Sequence, residues 1–89
     1  MVTDLVVKRL IRLDGAGTVK AFCDLAVGDL LLIRSLKVVE GKKGLFVSMP
    51  REQGKNGMWY DVAVPMTKEA TQAMSNVVLE AYEQSGNGG

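Results

Sequence analysis

The stretch Thr18-Val19-Lys20-Ala21-Phe22-Cys23-Asp24-Leu25-Ala26-Val27 decides the fold class. Val19, Ala21, Cys23, Leu25 and Val27 fall on one side of an extended chain. Thr18, Lys20, Phe22, Asp24 and Ala26 fall on the other. A period of two with one apolar side predicts a half-buried strand. Upstream, Leu5 to Leu13 is rich in Val, Ile and Leu and reads as a second strand. The intervening Asp14-Gly15-Ala16-Gly17 is turn chemistry, so the two strands form a hairpin.

Downstream, Gly28-Asp29 is a break. Leu30 to Glu40 fits either a short helix or a buried strand. Its β-branched residues and flanking glycines favour the strand. Glu40-Gly41-Lys42-Lys43-Gly44 is a turn, and Leu45 to Met49 a short strand ended by Pro50. Arg51 to Gly57 reads as a loop containing the turn pair Asn56-Gly57. Met58 to Val64 reads as a strand carrying Trp59 and Tyr60, and Pro65 stops it.

The last element is a helix. Thr67 is placed to cap its start, and Glu69 suits the positive end of the dipole. Ala70, Ala73, Met74, Val77, Val78, Ala81 and Tyr82 recur at helical spacing and make one apolar stripe. Leu79 projects nearly opposite that stripe, as a lone exposed leucine or as a contact with a second subunit. Ser85 to Gly89 reads as a flexible polar tail, leaving one domain over residues 1–84. The expected architecture is α+β: an antiparallel meander of about five strands closed by one C-terminal amphipathic helix.

The totals narrow the function. Eighty-nine residues make one domain. A chain this short buries only about 60% of the surface its unfolded form exposes, so a homo-oligomer is expected from size alone. The composition, 47% apolar and 24% charged, is that of a globular protein. No apolar run approaches the ~20 residues of a membrane span, and Asp4 stands where a signal peptide would be basic. A cytoplasmic location is expected. The single cysteine, Cys23, has no partner for an internal disulfide, which fits a reducing compartment.

Histidine is absent, which removes the commonest general base and metal ligand. One cysteine and no histidine leave a structural zinc site without ligands. Gly15-Ala16-Gly17 lacks the third glycine and following helix of a dinucleotide fingerprint. Cys23 lies on an apolar strand face with no base to activate it, and reads as a core residue. Asp24 and Asp29 have no evident acid or base partner. No catalytic residue, metal, cofactor or small-molecule substrate is expected, and the chain reads as a non-enzyme.

Three segments carry a resemblance. They are Val38-Val39-Glu40-Gly41, Gly44-Leu45-Phe46-Val47-Ser48-Met49-Pro50, and Gly57 followed by Asp61-Val62-Ala63-Val64-Pro65-Met66. Their order and spacing resemble the SpoVG family of bacterial sporulation and septation regulators, and the helix ending at Tyr82 corresponds as well. The likeness runs from Val19 to Glu83 and weakens before Lys20. The residues of the central motif have structural roles: Gly44 permits the turn, Leu45, Val47 and Met49 share one face, and Pro50 ends pairing. The resemblance implies a SpoVG-like fold and a homodimer built at least partly through strand edges. It also implies a regulator that binds DNA or RNA and influences gene expression, including septation and sporulation genes.

Charge is spread unevenly. Arg34 to Lys55 holds six basic and two acidic residues, whereas Asp61 onward holds one basic and four acidic. The first thirty-three residues balance. A basic middle segment makes a local patch of the kind phosphate contacts need. Lys42, Lys43, Arg51 and Lys55 are the candidate contacts, with a solvated loop surface as the alternative. Trp59 and Tyr60 could stack unpaired bases. They alternate on a strand, so Trp59 is assigned to the core or a dimer interface and Tyr60 to stacking. Relative to the family, Glu52 and Gln53 replace a Lys/Arg pair, Tyr60 replaces an Arg, and Ala70 and Thr71 occupy a helix turn that often carries Arg. A protein-interaction module using Leu79 or an open strand edge is the alternative to a nucleic-acid binder, and a small hydrolase the remotest.

Overall fold

The computed structural model describes residues 4–13, 15 and 17–87. Four strands come first: β1 (Leu5–Arg12), β2 (Val19–Val27), β3 (Leu31–Gly41) and β4 (Gly44–Ser48). They form one antiparallel sheet in the order β1-β2-β3-β4. Each strand pairs with its sequence neighbour, as short turns dictate. The β1–β2 turn falls partly outside the described residues at Asp14 and Ala16. Its closing bond, from Leu13 N to Lys20 O at 2.9 Å, is in place.

The alternation of β2 holds where it matters. Ala21, Cys23 and Leu25 are buried, and Val27 packs on the same cluster. Val19 does not join them. The ladder shifts between Val19 and Ala21, setting Val19 opposite Val39, because a bulge interrupts the period of two.

A second bulge explains the ambiguous segment. β3 turns Ile33, Leu36 and Val38 inward, and the first two are three residues apart. Leu25 pairs with Ile33 and Cys23 with Leu36, so Arg34 and Ser35 together face Asp24. Ser35 takes a left-handed backbone, φ 66°, unusual for a residue with a side chain. Asp24 Oδ1 accepts its N–H at 3.1 Å, supplying the partner that the interrupted ladder removes.

After Pro50 the chain leaves the sheet. Arg51–Gln53 (β5) pairs antiparallel with Trp59–Asp61 (β6) as a separate two-stranded ribbon. Two expectations are corrected here. The segment 51–57 starts as a strand, and the strand expected over 58–64 is only three residues long. Asn56-Gly57 makes the turn: Gly57 has φ 82°, and Asn56 Oδ1 accepts the Met58 N–H at 3.0 Å. Pairing stops at the other end because Val62 N donates to Pro50 O at 3.0 Å while Pro50 has no N–H to return.

Helix α1 (Lys68–Asn87) closes the inner face of the sheet. Thr67 Oγ1 accepts the Ala70 N–H at 3.0 Å, as a cap should. Met74 and Val78 are buried against Ala21, Cys23, Leu25 and Leu36, and Val77 and Tyr82 pack at the margin. The stripe is rotated from its expected centre: Ala73 is exposed, whereas Leu79 is partly buried against the core. The helix also runs through Ser85 and Gly86 to Asn87, residues expected in a tail; Gly88 and Gly89 lie outside the described residues. Arg12 of β1 helps to hold this end. Its Nη1 donates to Tyr82 O at 2.7 Å and Ser85 Oγ at 2.9 Å, and its guanidinium lies 4.0 Å from the Tyr82 ring centroid. The last turn has no basic residue of its own, so a cation from the sheet sits at the negative end of the helix dipole.

Candidate nucleic-acid interface

The basic residues predicted as one group occupy different places. Lys42 and Lys43 are the two exposed residues of the β3–β4 turn, between the paired Gly41 and Gly44. Arg51 follows β4 at its other end. Four residue steps from Gly44 to Ser48 separate the two sites by roughly 13 Å along the strand. Lys55 is in the β5–β6 turn.

The ribbon sorts its side chains onto two faces. Arg51 pairs with Asp61 and Gln53 with Trp59, so these four share one face. Glu52 pairs with Tyr60 on the other. Trp59 and Tyr60 were expected to divide between core and solvent. Neither reaches the core, because the ribbon does not lie on it; Trp59 is 55% exposed and Tyr60 49%.

A concavity of about 300 Å³ forms where the ribbon meets the sheet, lined by Lys37, Ser48, Met49, Arg51 and Trp59. Lys37 belongs to the basic run 34–55, and its charge was the only signal in the sequence. Its position comes from β3–β4 pairing, which sets Lys37 against Ser48, with only Met49 and Pro50 between that residue and the ribbon. The indole thus stands beside two cationic side chains at a shallow, open surface.

Arg51 is already partnered. Its Nε lies 3.2 Å from Asp61 Oδ1, and both side chains are more than half exposed. Such a pair is worth at most about 1 kcal/mol, so Arg51 remains available to a phosphate. Tyr60 is more occupied: its hydroxyl accepts a bond from Asn56 Nδ2 at 2.9 Å. Its ring covers Gly54, where a Cβ would come within 2.8 Å of a ring carbon. Tyr60 therefore braces the ribbon turn and shares its face with Glu52.

Leu79 stands in the partly buried margin of the core, and no free leucine marks the helix there. Burial, and then the neighbouring Asp24 charge, push the Cys23 thiol up to about 11, so at neutral pH it is protonated. Among the described residues no three His, Cys, Asp or Glu side chains gather as a metal site would need. No helix among them is long and apolar enough to cross a membrane.

Comparison with known proteins agrees with the fold. The SpoVG family model matches residues 1–84, reaching further toward the N-terminus than the motifs do. A relative from Symbiobacterium thermophilum is 48% identical over 84% of this chain, which spans only 54% of that protein's length. A relative from Archaeoglobus fulgidus is 40% identical over 85% of the chain and 89% of its own length. One from Desulforudis audaxviator is 40% identical over 92% and 90%. All three bear the name "Putative septation protein SpoVG". With the motifs, the strand–helix architecture and these matches in agreement, the chain belongs to the SpoVG family.

Proposed function

We propose that the chain is a non-enzymatic, cytoplasmic regulator of the SpoVG type that works as a homodimer. It binds nucleic acid and thereby affects gene expression in septation or sporulation-type processes. The observation that carries the reading is the convergence of Lys37 and Arg51 on Trp59 in one open concavity. Cations that neutralise phosphates beside an exposed aromatic platform suit a single strand, whose bases are free to stack. Lys55 lies in the adjoining turn and Lys42-Lys43 about a strand's length away, where they extend the electrostatic reach.

The test is fluorescence anisotropy with labelled single-stranded DNA, duplex DNA and RNA across a salt series. Binding that weakens with salt, and is lost in Arg51→Glu/Lys55→Glu, supports the proposal. Absence of binding to all three at low salt overturns it.

A second reading, a protein-interaction module, draws on the exposed apolar run from Met58 to Met66, in which Met66 is 95% exposed. Capture of a protein partner by a chain that ignores nucleic acid would favour it.

A further inference from the structure

β1 is an edge strand of the four-stranded sheet, and no strand among the described residues pairs with its outer side. Register shows which backbone groups that side offers. Gly28 N donates to Asp4 O at 2.7 Å, and the ladder continues through Leu5 with Val27, Val6 with Ala26 and Val7 with Leu25. Hydrogen-bonded and non-hydrogen-bonded pairs alternate along an antiparallel ladder. Asp4 and Val6 therefore bond to β2, and the N–H and C=O groups of Leu5 and Val7 point away from it. The side chains of these two residues turn to the α1 side and are half-buried at the margin of the core. Strand edge and helix together bound a groove of about 340 Å³, lined also by Val77, Glu80, Ala81 and Gln84. Val77 and Ala81 are half-buried, and Glu80 and Gln84 are exposed.

We propose that this groove binds an extended peptide segment of another protein, which adds antiparallel to β1 as a fifth strand and turns a lysine or arginine toward Glu80. Three observations select that occupant. The first is the backbone. Leu5 and Val7 present two donors and two acceptors at strand spacing, and another extended backbone satisfies them in kind. The second is the wall of the groove. Residues of the added strand opposite Leu5 and Val7 lie two apart and share the α1 side. The wall they meet passes from apolar at Val77 and Ala81 to acidic at Glu80. Glu80 Oε1 accepts a bond from Gln84 Nε2 at 3.3 Å, and no cation among the described residues pairs with it. A long basic side chain suits both parts, its stem on the apolar wall and its charge at the carboxylate. The third is length. The ladder shifts between Val7 and Arg9, where the exposed Lys8 is the extra residue. A bulge and a lysine on an edge both stop continued pairing. The uninterrupted edge runs only from Asp4 to Val7, which fits a short segment and not the full β1 of a second copy.

This surface is at the opposite edge of the sheet from β4, the strand that leads into the ribbon. It goes beyond the proposed nucleic-acid site and does not depend on it. It is also separate from the exposed apolar run between Met58 and Met66.

The experiment is a nitrogen-15 NMR titration of the native chain and of Glu80→Lys with blocked synthetic peptides. The probe is Val-Thr-Lys-Thr-Val, whose alternate residues face α1 when it pairs with β1. One control replaces its lysine with glutamate. The other keeps every side chain but is N-methylated at the lysine and the valines, the residues whose N–H groups would bond to β1. The expected result is that the lysine peptide shifts the amides of Leu5, Val7, Val77, Glu80 and Ala81 and slows hydrogen exchange at Leu5 and Val7. The glutamate peptide should bind about fivefold more weakly or worse, Glu80→Lys should reverse that preference, and the N-methylated peptide should not bind. Glu80 is exposed, so its substitution leaves the core intact, and unchanged amide positions away from the groove verify the fold. No shift along β1 with the lysine peptide, or equal binding by its N-methylated form, overturns the proposal. A peptide preference indifferent to Glu80→Lys overturns the assigned charge. Leu5 and Val7 amides already protected in the peptide-free chain overturn it as well, since a second copy would then occupy the edge.

Discussion

Asp61 restrains the proposed nucleic-acid site, and its removal should strengthen binding. Its carboxylate sits 3.2 Å from Arg51 Nε on the face that carries Trp59. A phosphate that uses Arg51 must displace or share this pair. An exposed ion pair is worth up to about 1 kcal/mol, so Asp61→Asn should tighten single-strand binding by up to about 5-fold. The salt dependence gives a second readout. Each neutralised phosphate contributes about 0.7 to the slope of log affinity against log salt for single strands. Freeing Arg51 should therefore steepen the slope by about 0.7, and a fourfold rise in salt should lower the variant's affinity by roughly 2.5-fold more than the native chain's. Asparagine keeps the side chain's shape, so the short ribbon is preserved. The assay is anisotropy with labelled single-stranded DNA and RNA on the native chain, Asp61→Asn, Arg51→Gln and the double variant. Arg51→Gln should abolish the gain, since the effect acts through the guanidinium. An Asp61→Asn protein with unchanged affinity and slope would refute the reasoning, because Arg51 would then not meet phosphate.

Four further outcomes are expected. Ser35→Gly should stabilise the fold by up to about 1 kcal/mol in urea denaturation, since relief of a left-handed side-chain conformation exceeds the entropy glycine adds to the unfolded chain. Asp24→Ala, which strips the bulge amide of its acceptor, should destabilise it by about 1–2 kcal/mol. Arg12→Ala should lower stability by about 1 kcal/mol and speed hydrogen exchange in the last turn of α1, because both bonds to that turn come from Arg12 Nη1. Cys23 should make the fold alkali-sensitive. Its folded pKa of about 11 exceeds the ordinary 9.0, so the unfolded thiol loses its proton first; stability is full below about pH 9 and falls by roughly 2–3 kcal/mol between pH 9 and 11. Cys23→Ala should lack that part of the fall, and equal pH slopes for the two proteins would contradict it.

Most of the fold is legible because the period of two survives from Ala21 to Leu25 in β2 and in β4, and the period near 3.6 survives in α1. The exceptions have a physical origin in bulges. In β3 the inward residues Ile33 and Leu36 are three apart, a helical spacing, and only the β-branched residues tipped the reading to a strand. The cause was visible only in pairing: Asp24, on the neighbouring strand, holds the amide of Ser35. Nothing local to either residue announces that partnership. The same limit applies to Val19, which the bulge at Lys20 removes from the face its alternation predicts. Composition also misjudged the helix end. Serine, glycine and asparagine read as tail, but Arg12, more than seventy residues earlier in the chain, supplies the bonds that let the last turn continue.

The candidate site was less legible, and the reason lies in where the ribbon goes. Alternation along Trp59 and Tyr60 assumes that one side of the strand meets a core; β5 and β6 contact only each other closely, so the assumption fails and both aromatics face outward. Register then separates the pair. Trp59 joins Arg51, while Tyr60 joins Glu52 and binds Asn56. That division bears on the departures from the family. Glu52, which replaces a family cation, sits on the Tyr60 face, so its charge does not lie beside the indole. The concavity instead keeps Arg51 and takes Lys37 from β3, a strand shared with the core. The motif Gly44 to Pro50 is what makes this arrangement possible. Its strand sets Lys37 against Ser48, and its terminal proline ends the sheet and releases the ribbon at that point. A sequence element that carries no chemistry of its own therefore determines which cations meet the exposed indole. Charge can move between neighbouring positions of the ribbon while the platform and its two elements stay fixed.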